Sequence, residues 1–147
     1  MTNIAVAREI IERVRGLGVV DFCVCGGSRN APLIAVLASG YTFVDERSAA
    51  FFALGRAKRD GRPVAVITTS GTAAAELLPA AVEAFYSGVP LVLITADRPA
   101  RFRGTAAPQT IEQVGLFGVY ATTDINGWNR RAPLHINVAF DEPLIDE

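Results

Sequence analysis

Apolar positions in the first seventeen residues recur at helical spacing. Ile4, Val6, Ile10, Ile11, Val14 and Leu17 fall on one side, and Arg8, Glu9, Glu12 and Arg13 on others. This predicts a helix over 3–17, capped at its start by Thr2 or Asn3 and ended by Gly16 or Gly18. The period then changes. Residues 19–24 read as a short buried strand, 26–30 as a turn, and 31–38 as a short helix with Pro32 in its first turn. Residues 41–44 form a second strand, and 46–59 a helix closed by Gly61. The run 63–68 is apolar almost throughout, as a strand covered on both faces should be. A polar turn, Thr69-Ser70-Gly71-Thr72, leads into a long Ala/Leu-rich helix over 72–87 that ends at Gly88, and 90–95 is a fourth strand.

Strand, turn, helix and strand repeat at spacings that suit βαβ crossovers. The expected fold is therefore α/β: three layers, a mostly parallel sheet with helices on both faces, in a single domain over 1–147. Beyond Ala96 the pattern weakens. Residues 97–107 carry three arginines and read as a functional loop, 110–117 as a short helix, 119–125 as a strand, 134–138 as a last strand, and 139–147 as an acidic exit. One connection conflicts with the scheme. Residues 126–131 are too few for a crossover between parallel strands, which takes a dozen residues or more. Either the two strands pair otherwise, or a segment is missing there.

Composition narrows the class. The chain has 147 residues, 50% hydrophobic and 20% charged, with a formal net charge of −1. That suffices for one real core and leaves no electrostatic footprint for nucleic acid or an anionic membrane. Lys58 is the only lysine, a bias that a GC-rich genome or the use of arginine forks would each produce. Cys23 and Cys25, two apart on a strand, are expected on opposite faces as buried reduced thiols. No apolar run approaches 18 residues and no signal peptide opens the chain, so a reducing cytoplasm is expected.

Candidate chemistry gathers where strands end and helices begin, the place where open α/β sheets bind ligands. Asp45-Glu46-Arg47 closes the second strand. Acids in a first helical turn are favoured by the dipole alone, so Glu46 is a candidate and no more on spacing. Gly26-Gly27-Ser28-Arg29-Asn30 resembles a hydrolase nucleophile elbow, with Asn30 where the second glycine belongs. Ser28 and Arg29 at a helix entry suit an anionic group. Ser70 and Gly71 either cap the next helix or offer backbone N–H groups to a ligand. Asp97 can pair with Arg98 or Arg101 on the surface. Three arginines in one loop, Arg98, Arg101 and Arg103, are better explained by a carboxylate clamp than by packing. His135, the only histidine, lies in an apolar strand and reads as structural. No spacing of metal ligands occurs, so no metal is expected on this chain alone.

Together, Gly27-Ser28-Arg29, Asp45-Glu46-Arg47, the run 63–73 through Thr-Ser-Gly-Thr, Ala96-Asp97-Arg98-Pro99, the run 109–117 and the close 135–144 resemble one family. It is the amino-terminal, pyrimidine-binding domain of the 2-succinyl-5-enolpyruvyl-6-hydroxy-3-cyclohexene-1-carboxylate synthases, thiamine-diphosphate enzymes of menaquinone biosynthesis. The resemblance covers nearly the whole chain. It implies the thiamine-diphosphate-binding fold, with thiamine diphosphate and Mg2+ as cofactors. It also implies a reaction in which 2-oxoglutarate is decarboxylated on the cofactor and the carbanion adds to isochorismate. By the same resemblance Glu46 hydrogen-bonds the aminopyrimidine nitrogen and favours its imino tautomer. Ser70 and Gly71 would contact the cofactor, and Ser28, Arg29, Arg98 and Gln109 would line the substrate side.

Departures from the family pattern are local. Gly26 stands in place of proline, Asn30 in place of serine or threonine, and Pro108 in place of asparagine; the stretch 125–131 is shorter. The chain is also several times shorter than the family's members, and no Gly-Asp-Gly occurs for the magnesium. The resemblance thus implies a domain that is inactive alone. Its partners would be a diphosphate-binding domain of the same or another subunit and a homodimeric or homotetrameric assembly, with part of its surface an apolar interface. Two other readings remain open here: a non-catalytic module that holds a small acid, and the small subunit of a two-chain thiamine-diphosphate decarboxylase.

Overall fold

The predicted run of buried apolar residues at 63–68 becomes the centre of the sheet. In the computed structural model, which describes residues 1–146, all five residues of that strand, Val64–Thr68, are buried. Val64 and Val66 face one core cluster, Ala65 and Ile67 the other. Among the described residues five strands pair, all parallel: β1 (Asp21–Cys25), β2 (Tyr41–Phe43), β3 (Val64–Thr68), β4 (Leu91–Asp97) and β5 (Leu134–Ala139), in the order β2-β1-β3-β4-β5. Helices α1 (Asn3–Gly16) and α2 (Ala31–Ala35) cover one face, and α3 (Glu46–Asp60) and α5 (Leu78–Ser87) the other. The three-layer parallel α/β architecture is as expected.

Local chemistry sets the boundaries. The Thr2 hydroxyl accepts from Ala5 N at the start of α1, and Asp45 accepts from Ser48 N at the start of α3. Gly61 and Gly88 end α3 and α5 in the left-handed conformation that glycine adopts without a Cβ penalty. The helix expected over 72–87 is two helices, α4 (Thr72–Ala75) and α5, interrupted at Glu76 and Leu77. Pro79 is the reason: it lacks an N–H and its ring clashes with the carbonyl four residues back, so the helix restarts with proline in its first turn.

Other expectations are corrected. Cys23 and Cys25 are buried and free, as predicted, but both face the α3/α5 core, because residues i and i+2 of a strand share a face. No helix forms over 110–117; the chain there makes turns, and a short 3-10 turn follows at Gly118–Tyr120. The strand expected over 119–125 is reduced to one parallel bridge, Thr122 to Leu134. The two segments thus lie parallel, yet the connection contains no crossover helix. Instead the Asp124 carboxylate turns the chain by accepting from Asn126 N and Gly127 N, and Trp128, buried, donates from Nε1 to Ala132 O at 2.7 Å. Past Thr122 the outer edge of β5 has no neighbouring strand among the described residues.

The acidic exit is strapped back onto the domain. Phe140 is buried, Asn3 Nδ2 donates to the carbonyls of Asp141 and Pro143, and Asp146 accepts from Asn3 N and Ile4 N. Glu147, the last residue of that segment, lies outside the described residues.

Candidate functional site

The chain leaves β1 for β2 on one side and returns past β1 to β3 on the other. The strand order therefore reverses between β1 and β3, and the carboxyl ends of these strands flank the switch point where such sheets bind ligands. A cavity of about 260 Å³ opens there, lined by Gly27, Ser28, Arg29, Thr69, Ser70, Arg98, Pro108 and Gln109. All four residues expected on the substrate side thus meet Ser70 around one space. Three larger cavities lie elsewhere, one of about 510 Å³ beside Gly61 and Gly88, one of about 380 Å³ beside Ile136 and Asn137, and one of about 280 Å³ beside Phe51 and Phe52. None of them gathers residues from the ends of β1, β3 and β4, so the smaller one is the candidate site.

The β1 turn is built by two residues that the sequence understated. A Cβ on Gly27 would lie 2.5 Å from the Thr69 Cβ, so only glycine lets the two turns cross. Asn30 is fully buried; its Nδ2 donates to Cys25 O at 2.8 Å and its Oδ1 accepts from Gly27 N at 2.9 Å. Serine or threonine at that position could not reach both. Arg29 is 4% exposed and its guanidinium donates to Phe140 O at 2.9 Å and pairs with Glu142 at 3.1 Å. It thereby holds the exit segment against the cavity wall.

The turn after β3 is not a side-chain cap. Gly71, at φ 80° and ψ −136°, precedes α4 with no capping side chain, and its N–H donates to Gln113 Oε1 at 2.8 Å. Of the two readings of this turn, neither hydroxyl capping nor an N–H of Gly71 left for a ligand is what forms. Thr72 Oγ1 instead donates to Gln109 Oε1 at 3.1 Å, and Gln109 itself has φ 53°.

The arginine loop divides by role. Asp97 is 1% exposed and not a surface partner of Arg98 or Arg101; it accepts from Arg103 at 3.3 Å, from Asn137 Nδ2 at 2.8 Å and from Arg98 N at 2.8 Å. Arg101 pairs with Asp141 at 2.6 Å. Packing therefore does account for Arg101 and Arg103, contrary to expectation, and the clamp narrows to Arg98. Its Nε donates to Pro108 O at 3.0 Å, which aims the rest of the guanidinium along the cavity wall.

Glu46 stands at the same sheet edge, at the end of β2, outside the cavity lining. The cap of α3 is Asp45, whose carboxylate bonds the Ser48 N–H and hydroxyl. Glu46 is therefore not needed to start the helix. Its charge is felt by Cys25: burial first, then Glu46 and Asp45, push that thiol up to about 11. In the rung beyond Val24–Ile67, Thr68 is fully buried beside Cys25 and its hydroxyl has no hydrogen-bond partner. His135 is structural as expected: 2% exposed, edge-on to Phe117 with ring centroids 4.6 Å apart, Nε2 2.8 Å from Thr95 Oγ1. Burial lowers its pKa to about 4.

An acid at the end of an edge strand and a polar, arginine-walled cavity at the switch point of a parallel sheet define an α/β domain of the class that binds cofactors at its strand ends. The chain belongs to the thiamine pyrophosphate enzyme family, as its N-terminal TPP binding domain, whose model matches residues 4–116. Thiamine diphosphate is the cofactor of that family. Among curated relatives, the 2-succinyl-5-enolpyruvyl-6-hydroxy-3-cyclohexene-1-carboxylate synthase of Bdellovibrio bacteriovorus is 49% identical over 99% of this chain and 31% of that protein. The synthase of the same name from Akkermansia muciniphila is 55% identical over 86% of this chain and 27% of that protein. The chain thus spans about a third of the length of these relatives. The Bdellovibrio match runs to 162 positions against the 147 residues here, so the relative carries additional residues within it. The same fold occurs in the thiamine diphosphate-dependent 4-hydroxybenzoylformate decarboxylase of Rhodococcus jostii RHA1, at TM-score 0.75 and 17% identity over 95% of this chain and 30% of that one.

The residues fit the pyrimidine end of the cofactor better than its charged end. Glu46 is an acid that the helix does not use, and Thr68 offers a buried hydroxyl without a partner. Such groups suit a ring that carries both a basic nitrogen and an amino group. For the diphosphate and its metal, no group of three His, Cys, Asp or Glu among the described residues is arranged to hold an ion. Gln113 and Asn30 are the organisers that sequence reasoning missed. Asn30 carried a signal, as a polar residue in a glycine-rich turn; Gln113 lay in the run 109–117 that resembles the family, but nothing in a segment read as a short helix singled it out.

Proposed function

We propose that this chain is the pyrimidine-binding part of a thiamine-diphosphate-dependent synthase that decarboxylates 2-oxoglutarate and adds the product carbon to isochorismate in menaquinone biosynthesis. It requires a diphosphate-binding domain that brings Mg2+, and it is inactive alone. The observation that carries this reading is the convergence of Ser28, Arg29, Ser70, Arg98 and Gln109 on one cavity at the switch point, with Glu46 on the same edge.

When bound, the cofactor would supply a nucleophilic carbon and the electron sink that together let a 2-oxo acid lose carbon dioxide. Glu46 holds and exchanges a proton with the ring nitrogen through its carboxyl oxygens, which glutamine could not do. Ser70 bounds the cofactor side of the cavity, and Gly71 shapes the turn beside it. Arg98 meets a substrate carboxylate with the N–H groups left free by Pro108. Ser28 and Gln109 orient the same substrate. Arg29, bound to Glu142, reaches a ligand only with the N–H groups that Phe140 and Glu142 leave.

The face that bears Glu46 supports the need for a partner. Val44 is fully exposed, Phe51 and Phe52 on α3 are 38% and 40% exposed, and Tyr86 on α5 is 75% exposed. A diphosphate-binding domain of the same or another subunit, in a homodimer or homotetramer, would cover this apolar surface. No helix among the described residues is long and apolar enough to cross a membrane, and the two free thiols suit a cytoplasmic setting.

The test is Glu46→Gln in the chain joined to its diphosphate-binding domain. Turnover of 2-oxoglutarate with isochorismate should fall by at least a hundredfold while the circular dichroism spectrum is unchanged. Near-normal turnover would refute the role of Glu46.

A further inference from the structure

A buried chain of hydrogen bonds links the two sides of the proposed site. Gln113 is fully buried. Its Oε1 accepts from Gly71 N at 2.8 Å, and its Nε2 donates to Ala96 O at 3.0 Å and to Asn137 Oδ1 at 2.9 Å. One backbone donor and one backbone acceptor thus fix which way its amide points, and everything downstream follows. Asn137 must present Oδ1 to Gln113, which leaves Nδ2 to donate to Asp97 Oδ2 at 2.8 Å. Thr95 Oγ1 donates to the same Asn137 Oδ1 at 2.7 Å, so His135 Nε2, at 2.8 Å, is the donor to Thr95 and the imidazole carries its proton on Nε2. Asp97 closes the chain on Arg103 and on the N–H of Arg98.

We propose that Gln113 is a positioning residue: it holds the turn at Gly71 and, through Asn137 and Asp97, the loop that carries Arg98 and Gln109 in one register. The cofactor side and the substrate side of the cavity are then set by a single amide. Two further ties depend on it. The segment it anchors passes so close to Gly71 that a Cβ there would lie 2.8 Å from the Gln109 Cα, and the same segment supplies the Pro108 carbonyl that aims Arg98 and the Gln109 side chain that accepts from Thr72. Volume alone would be supplied equally by methionine. What methionine lacks is the acceptor for Gly71 and the two donors for Ala96 and Asn137, and each buried group left without a partner weakens the junction. The functional half of this inference rests on the reading of this edge as the ligand site; the structural half does not.

The experiment compares Gln113→Met and Gln113→Glu with the wild type. In the chain itself, amide exchange should be at least tenfold faster at Gly71 in Gln113→Met, with the amides of α1 and β1 unchanged. Gln113→Glu adds a pH profile. As a neutral acid it can accept from Gly71 and donate to Asn137; as a carboxylate it still accepts from Gly71 but turns its second oxygen, now without a proton, on both Ala96 O and Asn137 Oδ1. Its Asn137 side-chain amide signals should therefore move with pH, wild-type-like at low pH, while those of the wild type stay still. Joined to the diphosphate-binding domain, Gln113→Met should raise KM for 2-oxoglutarate about tenfold and change the cofactor Kd less than twofold, and Gln113→Glu should show that defect only at higher pH.

Wild-type protection of Gly71 in Gln113→Met, or a pH-independent Gln113→Glu, overturns the proposal. If Gln113→Met fails to fold, the pH dependence of Gln113→Glu decides alone. If the joined wild type does not turn over 2-oxoglutarate, the functional reading fails, and amide exchange in the chain still decides the positioning role.

Discussion

Replacing Gly71 with alanine tests the geometry of the site without any ligand. Gly71 sits at φ 80° and ψ −136°, outside the regions open to residues with a Cβ. Holding alanine there costs about 1–3 kcal/mol. The added Cβ would also lie 2.8 Å from the Gln109 Cα and 2.9 Å from its carbonyl carbon. Both are backbone atoms and cannot rotate away, so overpacking adds about 1–3 kcal/mol. A loss of about 4 kcal/mol is expected, a large part of the ~5–15 kcal/mol that holds a typical domain together. In urea, with a slope of about 2 kcal/mol/M, the midpoint should fall by ~2 M. Gly55→Ala is the control. Gly55 is in the middle of α3, where an added Cβ would meet nothing within 4 Å, so alanine there should stabilise by about 0.5–1 kcal/mol. A midpoint shift under ~0.5 M for Gly71→Ala, against that control and with the same slope, would refute the close approach of the 109–113 segment to the β3 turn.

Three other outcomes are expected. His135 titrates near pH 4 in the folded chain against an ordinary 6.5, because burial disfavours its charged form. The unfolded chain therefore binds the extra proton, and stability should rise between pH 4 and 6.5, by about 3 kcal/mol in all. His135→Gln should flatten that segment in urea titrations, and an unchanged slope would remove His135 as its source. Burial, aided by the charge of Asp21, pushes Cys23 up to about 12, and Cys25 stands at about 11. Both thiols should react with a maleimide at pH 8 only as the chain unfolds; rapid labelling of the native protein would contradict their burial. Arg98→Ala in the joined enzyme should raise KM for the acidic substrate at least tenfold and leave the cofactor Kd nearly unchanged, and equal effects on both would count against a clamp.

The centre of the sheet was legible because β3 and β4 are buried on both faces. Runs such as 63–68 and 90–95 have no polar alternation to mislead, and glycines mark where α3 and α5 stop. Legibility failed where a tertiary bond decides. Nothing local in 110–117 says that its chain is drawn into turns by Gln113 reaching Gly71 and Ala96 rather than wound into a helix. The split after Ala75 was marked by Pro79 in a run whose alanines argued the other way. At the candidate site, residue types pointed to residues that the fold gathers on one edge of the sheet. They did not tell Arg98, which faces the cavity, from Arg101 and Arg103, which neutralise Asp141 and Asp97. Three arginines within six residues look alike until their carboxylates, distant in sequence, are in place.

The reversal of strand order between β1 and β3 also dictates when the site exists. Its walls come from turns after two strands whose pairing joins Asp21 to Val64, with a whole strand and two helices made in between. Such long-range pairings close late, after the local helices, because the loop must be ordered before any contact rewards it. No partly folded chain therefore owns half a cavity: the wall of Gly27 and Thr69 appears together with the central sheet. A ligand that binds there favours only the completed sheet, and its effect on thermal unfolding should be a shift of the whole transition rather than the protection of a single loop.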